Sequence, residues 1–250
     1  MSSDSFAEVL EAAFRESRDM DAPLGVKLQK FADAVRSLDS TFAEAVDRLV
    51  TRLQDSNAGE AAPAPGETMP PFVLPDQDGR LLSLEQMLSK GPVAVAFHRG
   101  HWCPYCRINA NALAEVHDRV TSKGGQIVAI TPDRRRYTQT LKTDAEAPYP
   151  ILSDLDNGYA LSLNLAIWVG EEMRRMIHEA GWNLASYQGN EAWMLPIPAT
   201  FIVGSDGRVV TRYIDPDYRR RMAIDDLVNA FDGLNGGAGL PPEEQQKPQA

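Results

Sequence analysis

The sequence predicts an α/β protein in which a central mixed sheet is flanked by helices and preceded by an α-helical extension. Two observations carry this prediction. Downstream of residue 71, short apolar runs alternate with segments of helical periodicity, a pattern typical of strand–helix units around one sheet. The residues upstream of about position 55 show only the helical period. We therefore expect a helical extension at 1–56, a linker at 57–71, an α/β domain at 72–232 and a disordered tail at 233–250.

Three sets of apolar residues recur at helical spacing in the extension. They are Phe6, Val9, Leu10, Ala13 and Phe14, then Leu28, Phe31, Val35 and Leu38, and finally Phe42, Ala45, Val46, Leu49 and Leu53. Ser5 and Glu8 have the spacing of a capping box at the first helix. These helices carry no catalytic constellation, so we expect them to pack on the main domain or on a second subunit. Their apolar faces are the reason for expecting a homodimer.

Residues 57–71 are rich in Ala, Pro and Gly and follow neither period, which favours a linker. The predicted strands are 72–74, 93–97, 126–130, 199–203 and 208–212. One predicted helix begins near Pro104, and two others cover 134–142 and 224–231. The continuous apolar run at 93–97 is typical of a central strand covered on both faces. Gly204–Gly207 between the last two strands favours a hairpin. Residues 165–190 are expected to form an irregular excursion.

The composition restricts the classes of partner. The net charge of -10 over 250 residues would repel a phosphate backbone or an anionic leaflet, so we expect no nucleic-acid and no membrane partner. The N-terminus lacks the cationic and apolar regions of a secretory signal, and we expect a cytoplasmic protein. In a reducing compartment, two cysteines three positions apart indicate redox chemistry or a metal site rather than structural disulfides.

The chemistry is predicted to centre on Cys103 and Cys106, directly after the strand at 93–97. Pro104 suits the first helical position, so Cys103 is expected at a helix N-terminus, where free N–H groups and the macrodipole favour a thiolate. We predict a lowered pKa and a nucleophilic role for Cys103. Cys106 lies one turn later on the same face. It is the predicted resolving thiol, able to condense with a sulfenic acid on Cys103 into a short disulfide.

Side chains beside the cysteines are assigned supporting roles. Arg99 is a candidate to stabilise the thiolate and to polarise a leaving oxygen, the alternative being an exposed, solvated arginine. Trp102 and Tyr105 are expected to wall the site. Together with the cysteines, His98 and His101 supply the ligand types of a zinc site, but zinc usually draws its ligands from two separated pairs. We therefore predict no metal and no cofactor.

Four stretches of the sequence together resemble the peroxiredoxin-like branch of the AhpC/TSA family, that of alkyl hydroperoxide reductases and thiol-specific antioxidant proteins. The stretches are 97–106, 129–133, 195–203 and 213–218, and the resemblance runs from about residue 65 to residue 232. It implies a thioredoxin-like fold, reduction of hydroperoxides by the first cysteine, and recycling of the enzyme by thioredoxin, a similar dithiol or a low-molecular-weight thiol.

A proline before a strand needs a reason, because it donates nothing to the sheet, and Pro198 is in such a place. A cis Ile197–Pro198 bond is one such reason, although only about one X–Pro bond in twenty is cis. The resemblance implies a cis-proline facing the site, which matches Pro198. The predicted substrate pocket consists of Trp102, Tyr105, Pro198 and Thr200.

Two positions depart from the usual pattern of that family. Gly100 stands three residues before Cys103, where the family usually has a Thr or Ser. The family also usually has an arginine just before the strand that contains Thr-Phe-Ile, and this sequence has Pro-Ile-Pro at 196–198 instead. These departures favour a second hypothesis, thiol–disulfide exchange on protein disulfides, beside the leading hypothesis of a thiol peroxidase. A third is a redox sensor in which oxidation changes how the helical extension docks on a partner. Inert buried thiols are the purely structural alternative.

Overall fold

The computed structural model describes residues 3–234, with side chains from residue 8 onward. Residues 235–250, which make up most of the predicted disordered tail, lie outside this range. The strands are β1 (Val73–Pro75), β2 (Leu81–Ser83), β3 (Val93–Phe97), β4 (Gln126–Thr131), β5 (Ile151–Ser153), β6 (Ala166–Trp168), β7 (Met194–Pro196), β8 (Ala199–Val203) and β9 (Val209–Ile214). The helices are α1 (Ser3–Asp19), α2 (Leu24–Leu38), α3 (Ser40–Asp55), α4 (Leu84–Leu88), α5 (Pro104–Glu115), α6 (His117–Ser122), α7 (Arg135–Asp144), α8 (Gly158–Ser162), α9 (Glu171–Glu179), α10 (Leu184–Gln188) and α11 (Ile224–Asn229). Within residues 3–234, no helix has both the length and the apolar character needed to cross a membrane.

The centre of the fold is a five-stranded sheet of order β5–β4–β3–β8–β9. β3 runs parallel to β4 and antiparallel to β8, so the sheet is mixed. All five residues of β3 are buried. Ala94 shares a core cluster with residues of α5 and α11, whereas Val95 shares one with residues of α4 and α8. Helices therefore cover both faces of the central strand, and the predicted α/β class with a central mixed sheet is confirmed.

The helical extension packs on α5. The rings of Phe14 and Phe31 meet edge to face at 6.4 Å, and Phe31 meets Tyr105 in the same way at 5.1 Å. The guanidinium carbon of Arg107 lies 4.0 Å from the centroid of the Phe14 ring. Of the two expected arrangements, the structure therefore shows packing on the main domain, and the first turns of α5 are covered by the extension.

The segment 57–71, predicted to be a linker, lies along one edge of the sheet. The Met69 N–H donates to the Gly207 carbonyl at 2.9 Å, and the Met69 side chain is buried. The Arg212 side chain on β9 donates to the Pro63 carbonyl at 3.1 Å. The segment is thus held by backbone and side-chain hydrogen bonds although it forms neither helix nor strand.

The excursion at 165–190 is ordered, contrary to the expectation of an irregular segment. β6 and β7 pair as an antiparallel ribbon, and α9 and α10 lie between them. Met173 and Ile177, four positions apart on α9, are buried on one face. Charged residues surround this pair in the sequence, which concealed a short amphipathic helix. After α9, Trp182 packs on Trp102 with ring centroids 5.5 Å apart.

Candidate active site

The two cysteines lie where the chain turns from β3 into α5. Cys103 is the N-cap residue of α5, with φ -85° and ψ 112°, and Pro104 opens the helix. The N–H groups of Cys106 and Arg107 donate to the Cys103 carbonyl at 3.0 and 3.1 Å. Both cysteines are free thiols, and their exposed fractions are 1% for Cys103 and 0% for Cys106. The pair therefore occupies the predicted helix N-terminus but is closed off from solvent.

The sulfur of Cys106 is the focus of several hydrogen bonds. It accepts one from the backbone N–H of Arg99 at 3.3 Å and one from Nη2 of Arg221 at 3.4 Å. The neighbouring Cys103 thiol also favours the ionised form of Cys106. Burial opposes ionisation of Cys106, but the Cys103 thiol, the charge of Arg221 and the N–H and charge of Arg99 outweigh burial and lower the pKa of Cys106 to about 6. These contacts favour the ionised form of Cys106 over that of Cys103.

The prediction of a lowered pKa for Cys103 is wrong. Burial raises the pKa of Cys103 well above its ordinary value, and the neighbouring Cys106 raises it further. Within the described chain, the Cys103 side chain makes no capping hydrogen bond to the N–H groups of α5. The helix macrodipole alone does not offset the loss of water around a fully buried sulfur.

Arg221 is a residue of the site that the sequence-based prediction missed. It follows β9, 115 positions after Cys106, and only 9% of it is exposed. Its Nη1 atom donates to the carbonyls of Tyr218 and Arg220, the latter at 2.6 Å, and these bonds orient the guanidinium. The sequence has no arginine directly before β8, and Arg221 supplies a guanidinium from another part of the chain. The available signal was the run of three arginines at 219–221.

Arg99 is buried, not solvated. Its guanidinium carbon lies 3.8 Å from the ring centroid of Tyr218 and 5.3 Å from that of Trp102. Cation–π contacts of this kind hold a charged group inside a mostly apolar environment. The backbone N–H of Arg99, rather than its side chain, bonds the sulfur of Cys106. The side chain contributes a nearby positive charge that favours the ionised form of the pair.

Trp102 and Tyr105 lie on either side of the first cysteine and are both buried. Trp102 packs on Trp182, while Tyr105 meets the edges of Phe31 at 5.1 Å and of Tyr218 at 5.5 Å. Burial raises the pKa of Tyr105 well above its ordinary value, so its hydroxyl stays neutral. Tyr105 therefore contacts the helical extension, and Trp102 contacts the segment 165–190.

The two histidines have protein partners of their own. Nε2 of His98 lies 2.9 Å from Nδ2 of Asn109, and burial lowers the pKa of His98 to about 3, so its imidazole is neutral. The backbone N–H of His101 donates to Oδ2 of Asp133 at 2.7 Å, and Nδ1 of the same histidine lies 3.1 Å from that oxygen. One nitrogen of each imidazole is thus engaged by Asn109 or Asp133.

Asp133 is a second residue of the site that the sequence-based prediction did not single out. It follows β4, is wholly buried, and reaches the loop between β3 and α5 through its bonds to His101. Burial raises the pKa of Asp133, although the bonds from His101 oppose this change. In the same loop Gly100 has a φ of +137°, a conformation that residues with a Cβ rarely adopt.

The Ile197–Pro198 peptide bond is trans, as are all peptide bonds in residues 3–234, so the cis prediction is wrong. The Ile197 N–H donates to the Leu165 carbonyl at 2.8 Å, and the chain passes directly from β7 into β8. A trans peptide suits this extended path. Thr200 lies in β8, paired with Ala96 and with Tyr213. In the part of the chain that the structure describes, no hydrogen bond connects Thr200 to either sulfur.

Solved structures share this fold. Peroxidoxin BcpB from Mycobacterium tuberculosis superposes with a TM-score of 0.54 at 21% identity, covering 71% of this chain and 99% of its own. Peroxiredoxin Q from Xanthomonas campestris superposes with a TM-score of 0.51 at 14% identity, covering 69% of this chain and 96% of its own. The fold and the site together define a thioredoxin-like protein with a buried two-cysteine centre.

The AhpC/TSA family model matches residues 65–212, more than half of the 250 residues, and the chain belongs to that family. Peroxiredoxin Q, chloroplastic, from Sedum lineare is 33% identical over 92 residues, which are 37% of this chain and 49% of that protein. The match therefore spans about half the length of that relative. A Mycobacterium tuberculosis (strain H37Rv) protein named as a peroxiredoxin is 28% identical over 146 residues, 58% of this chain and 82% of that protein.

Proposed function

We propose that the protein is a thiol-dependent peroxidase that reduces hydrogen peroxide or organic hydroperoxides. The observation that carries this proposal is a buried cysteine pair at the start of α5, with two hydrogen bonds directed at the Cys106 sulfur. Arg221 and the Arg99 N–H donate to the Cys106 sulfur, and their charge and hydrogen bonds help to lower its pKa to about 6. Membership of the AhpC/TSA family supports a peroxide as the oxidant.

In the proposed first step, Cys106 serves as the internal base for Cys103. The proton of Cys103 passes to the Cys106 sulfur, and the Cys103 thiolate attacks the terminal oxygen of the hydroperoxide. An S–O bond forms, the O–O bond breaks, and the electron pair leaves with the second oxygen, which takes a proton from solvent. Cys103 becomes a sulfenic acid.

In the second step, the Cys106 thiol attacks the sulfur of the Cys103 sulfenic acid. An S–S bond forms, and the hydroxyl group leaves as water with the proton of Cys106. The position of the two residues, one turn apart at the start of α5, suits a short disulfide. Regeneration of the two thiols takes two electrons from thioredoxin, a similar dithiol, or two low-molecular-weight thiols. The scheme uses no metal and no cofactor.

The same proposal includes a cytoplasmic location and a homodimer. A pair of free thiols suits a reducing compartment, although relatives of the Q type are named chloroplastic.

Val9 on α1 and Val26 on α2 stay exposed and offer apolar contact to a second copy. Sedimentation at micromolar concentration tests the dimer, and a monomer there would remove it.

A rapid-quench experiment tests the peroxidase proposal. Reduced protein is mixed with hydrogen peroxide, quenched with an alkylating reagent and analysed by mass spectrometry. We expect the wild type to form a Cys103–Cys106 disulfide and Cys103→Ser to stay reduced. Cys106→Ser should stop at a sulfenic acid on Cys103 and form it more slowly than the wild type, because the internal base is lost. Oxidation no faster than that of a free thiol would refute the proposal. Fast reduction of a model protein disulfide would then identify thiol–disulfide exchange as the function.

A further inference from the structure

Asp133 contacts the turn that ends at the first cysteine. This turn is closed by the Cys103 N–H, which donates to the Gly100 carbonyl at 3.2 Å. Between these two residues, the His101 N–H donates to Oδ2 of Asp133 at 2.7 Å. Asp133 lies 32 positions after His101 and follows β4, so this bond joins the turn to another part of the fold.

The same turn packs closely on two side chains. A Cβ atom built on Gly100 would lie 2.9 Å from Oδ1 of Asp133 and 2.7 Å from Nε1 of Trp102. Gly100 also has a φ of +137°, a conformation that favours glycine. The backbone at Gly100 therefore has little room to shift while Asp133 is in place.

The turn is continuous with the groups that surround the Cys106 sulfur. Arg99, directly before the turn, donates its backbone N–H to that sulfur at 3.3 Å. On the strand side of Arg99, the His98 N–H donates to the Ile130 carbonyl at 2.9 Å. The chain that carries the Arg99 donor is thus held by β4 on one side and by Asp133 on the other. Because hydrogen bonds weaken steeply with misalignment, release of either side would weaken the bond to sulfur.

Stability alone does not account for a carboxylate at this position. Asp133 is wholly buried, and its Oδ1 atom has no hydrogen-bond partner within residues 8–234. A buried carboxylate with an unpartnered oxygen costs free energy of folding. This cost favours a role in placing the turn.

We propose that Asp133 is a positioning residue for the reaction of the cysteine pair. Through the backbone N–H of His101, its carboxylate keeps the Arg99 N–H within hydrogen-bond distance of the Cys106 sulfur. Without Asp133 the turn relaxes, and Cys106 loses one of the donors that favour its ionised form. The consequence for turnover rests on the proposed peroxidase function, in which Cys106 is the internal base for Cys103.

The charge and the position of Asp133 affect Cys106 in opposite directions. A nearby negative charge disfavours a thiolate, so loss of the carboxylate charge alone would lower the pKa of Cys106. Loss of the Arg99 donor would raise that pKa. Cys103 and Arg221, which also lower it, are unchanged in the variants below. The direction of the shift therefore separates positioning from electrostatics.

The test measures the thiolate absorbance of reduced protein as a function of pH. Asp133→Ala removes the acceptor, whereas Asp133→Asn keeps an oxygen acceptor without the charge. His101→Ala removes the imidazole and keeps the backbone N–H. Asp154→Ala is the matched control, because Asp154 is also buried and accepts the N–H groups of Tyr159 and Ala160 at 2.9 Å each. Urea unfolding of each variant gives its stability.

We expect the midpoint of Asp133→Ala to rise by about one pH unit, the effect of losing one hydrogen bond to a charged group. Asp133→Asn, His101→Ala and Asp154→Ala should titrate at the wild-type midpoint or below it, although Asp154→Ala loses stability. A midpoint of Asp133→Ala that stays or falls would overturn the proposal. An equal rise in Asp154→Ala would overturn it too, because it would indicate general loosening of the fold. A rise in His101→Ala would exclude the backbone N–H as the route.

The titration uses no peroxide, so its outcome is independent of the proposed function, whose failure shows as slow oxidation of the wild type. If Asp133→Ala does not fold, as judged by circular dichroism, Asp133→Ser decides the question by the same midpoint. The serine hydroxyl is one bond shorter than the carboxylate and does not reach the His101 N–H.

Discussion

Replacement of Arg221 by methionine should raise the pKa of the cysteine pair. The guanidinium donates to the Cys106 sulfur at 3.4 Å, and solvent screens this contact little because both residues are buried. A hydrogen bond from a charged donor is worth about 1.5–3 kcal/mol, and about 1.4 kcal/mol changes a pKa by one. We therefore expect the pKa of Cys106, about 6 in the wild type, to rise by about one to two in Arg221→Met.

The assay is the ultraviolet absorbance of the thiolate in reduced protein as a function of pH. Arg220→Met is the matched control, because the Arg220 side chain is 66% exposed and forms ion pairs with Asp215 and Asp217 rather than a contact with either sulfur. Arg221→Lys keeps a charge without the forked donor and should titrate between the two. If thiolate absorbance in Arg221→Met titrates with the same midpoint pH as in the wild type, Arg221 does not lower the pKa of Cys106.

Three further predictions concern stability. The pKa of Cys106 is about 6 in the folded protein and about 8.5 in an unfolded chain. Between these two pH values, the free energy of unfolding of the reduced wild type should therefore rise with pH relative to that of Cys106→Ser. A difference between the two proteins that stays constant with pH in urea titrations would contradict this. The pKa of His98 is about 3 when folded and about 6.5 when unfolded, so stability should fall as the pH drops below about 6.5. His98→Gln should flatten that slope in acid unfolding, and an unchanged slope would exclude His98 as its source. Phe31→Ala removes a fully buried ring that touches Tyr105 and should cost about 3–5 kcal/mol in urea unfolding; a loss below about 1 kcal/mol would show that the extension packs only loosely on α5.

The elements that could be predicted from the sequence are those with a strong local pattern. Val93–Phe97 is apolar throughout, Gly204–Gly207 separates two strands, and Pro104 marks the start of a helix. β5 is only three residues long and gave no distinguishable period. α9 was missed because two buried residues among many charges form a weak pattern over nine positions.

The residues of the candidate site also fall into two groups, those that could be predicted from the sequence and those that could not. Arg99, Trp102 and Tyr105 adjoin the cysteines in sequence, so their presence at the site followed from position alone. Arg221 and Asp133 reach the site through tertiary contacts, and their local sequence does not indicate which residues they contact. The error in the Cys103 pKa has this origin, because helix position is a local property whereas burial and donors are not.

The distance in sequence between Cys106 and Arg221 bears on the biosynthesis of the protein. The guanidinium that donates to the Cys106 sulfur belongs to a residue 115 positions later. On the ribosome, the two cysteines emerge long before that residue exists, and they behave as ordinary thiols with a pKa of about 8.5. A growing polypeptide therefore lacks the charged donor that helps to lower the pKa of Cys106 in the folded protein. That contact forms only when the segment after β9 has been made and has docked, so a truncated product would carry both cysteines without the donor from Arg221.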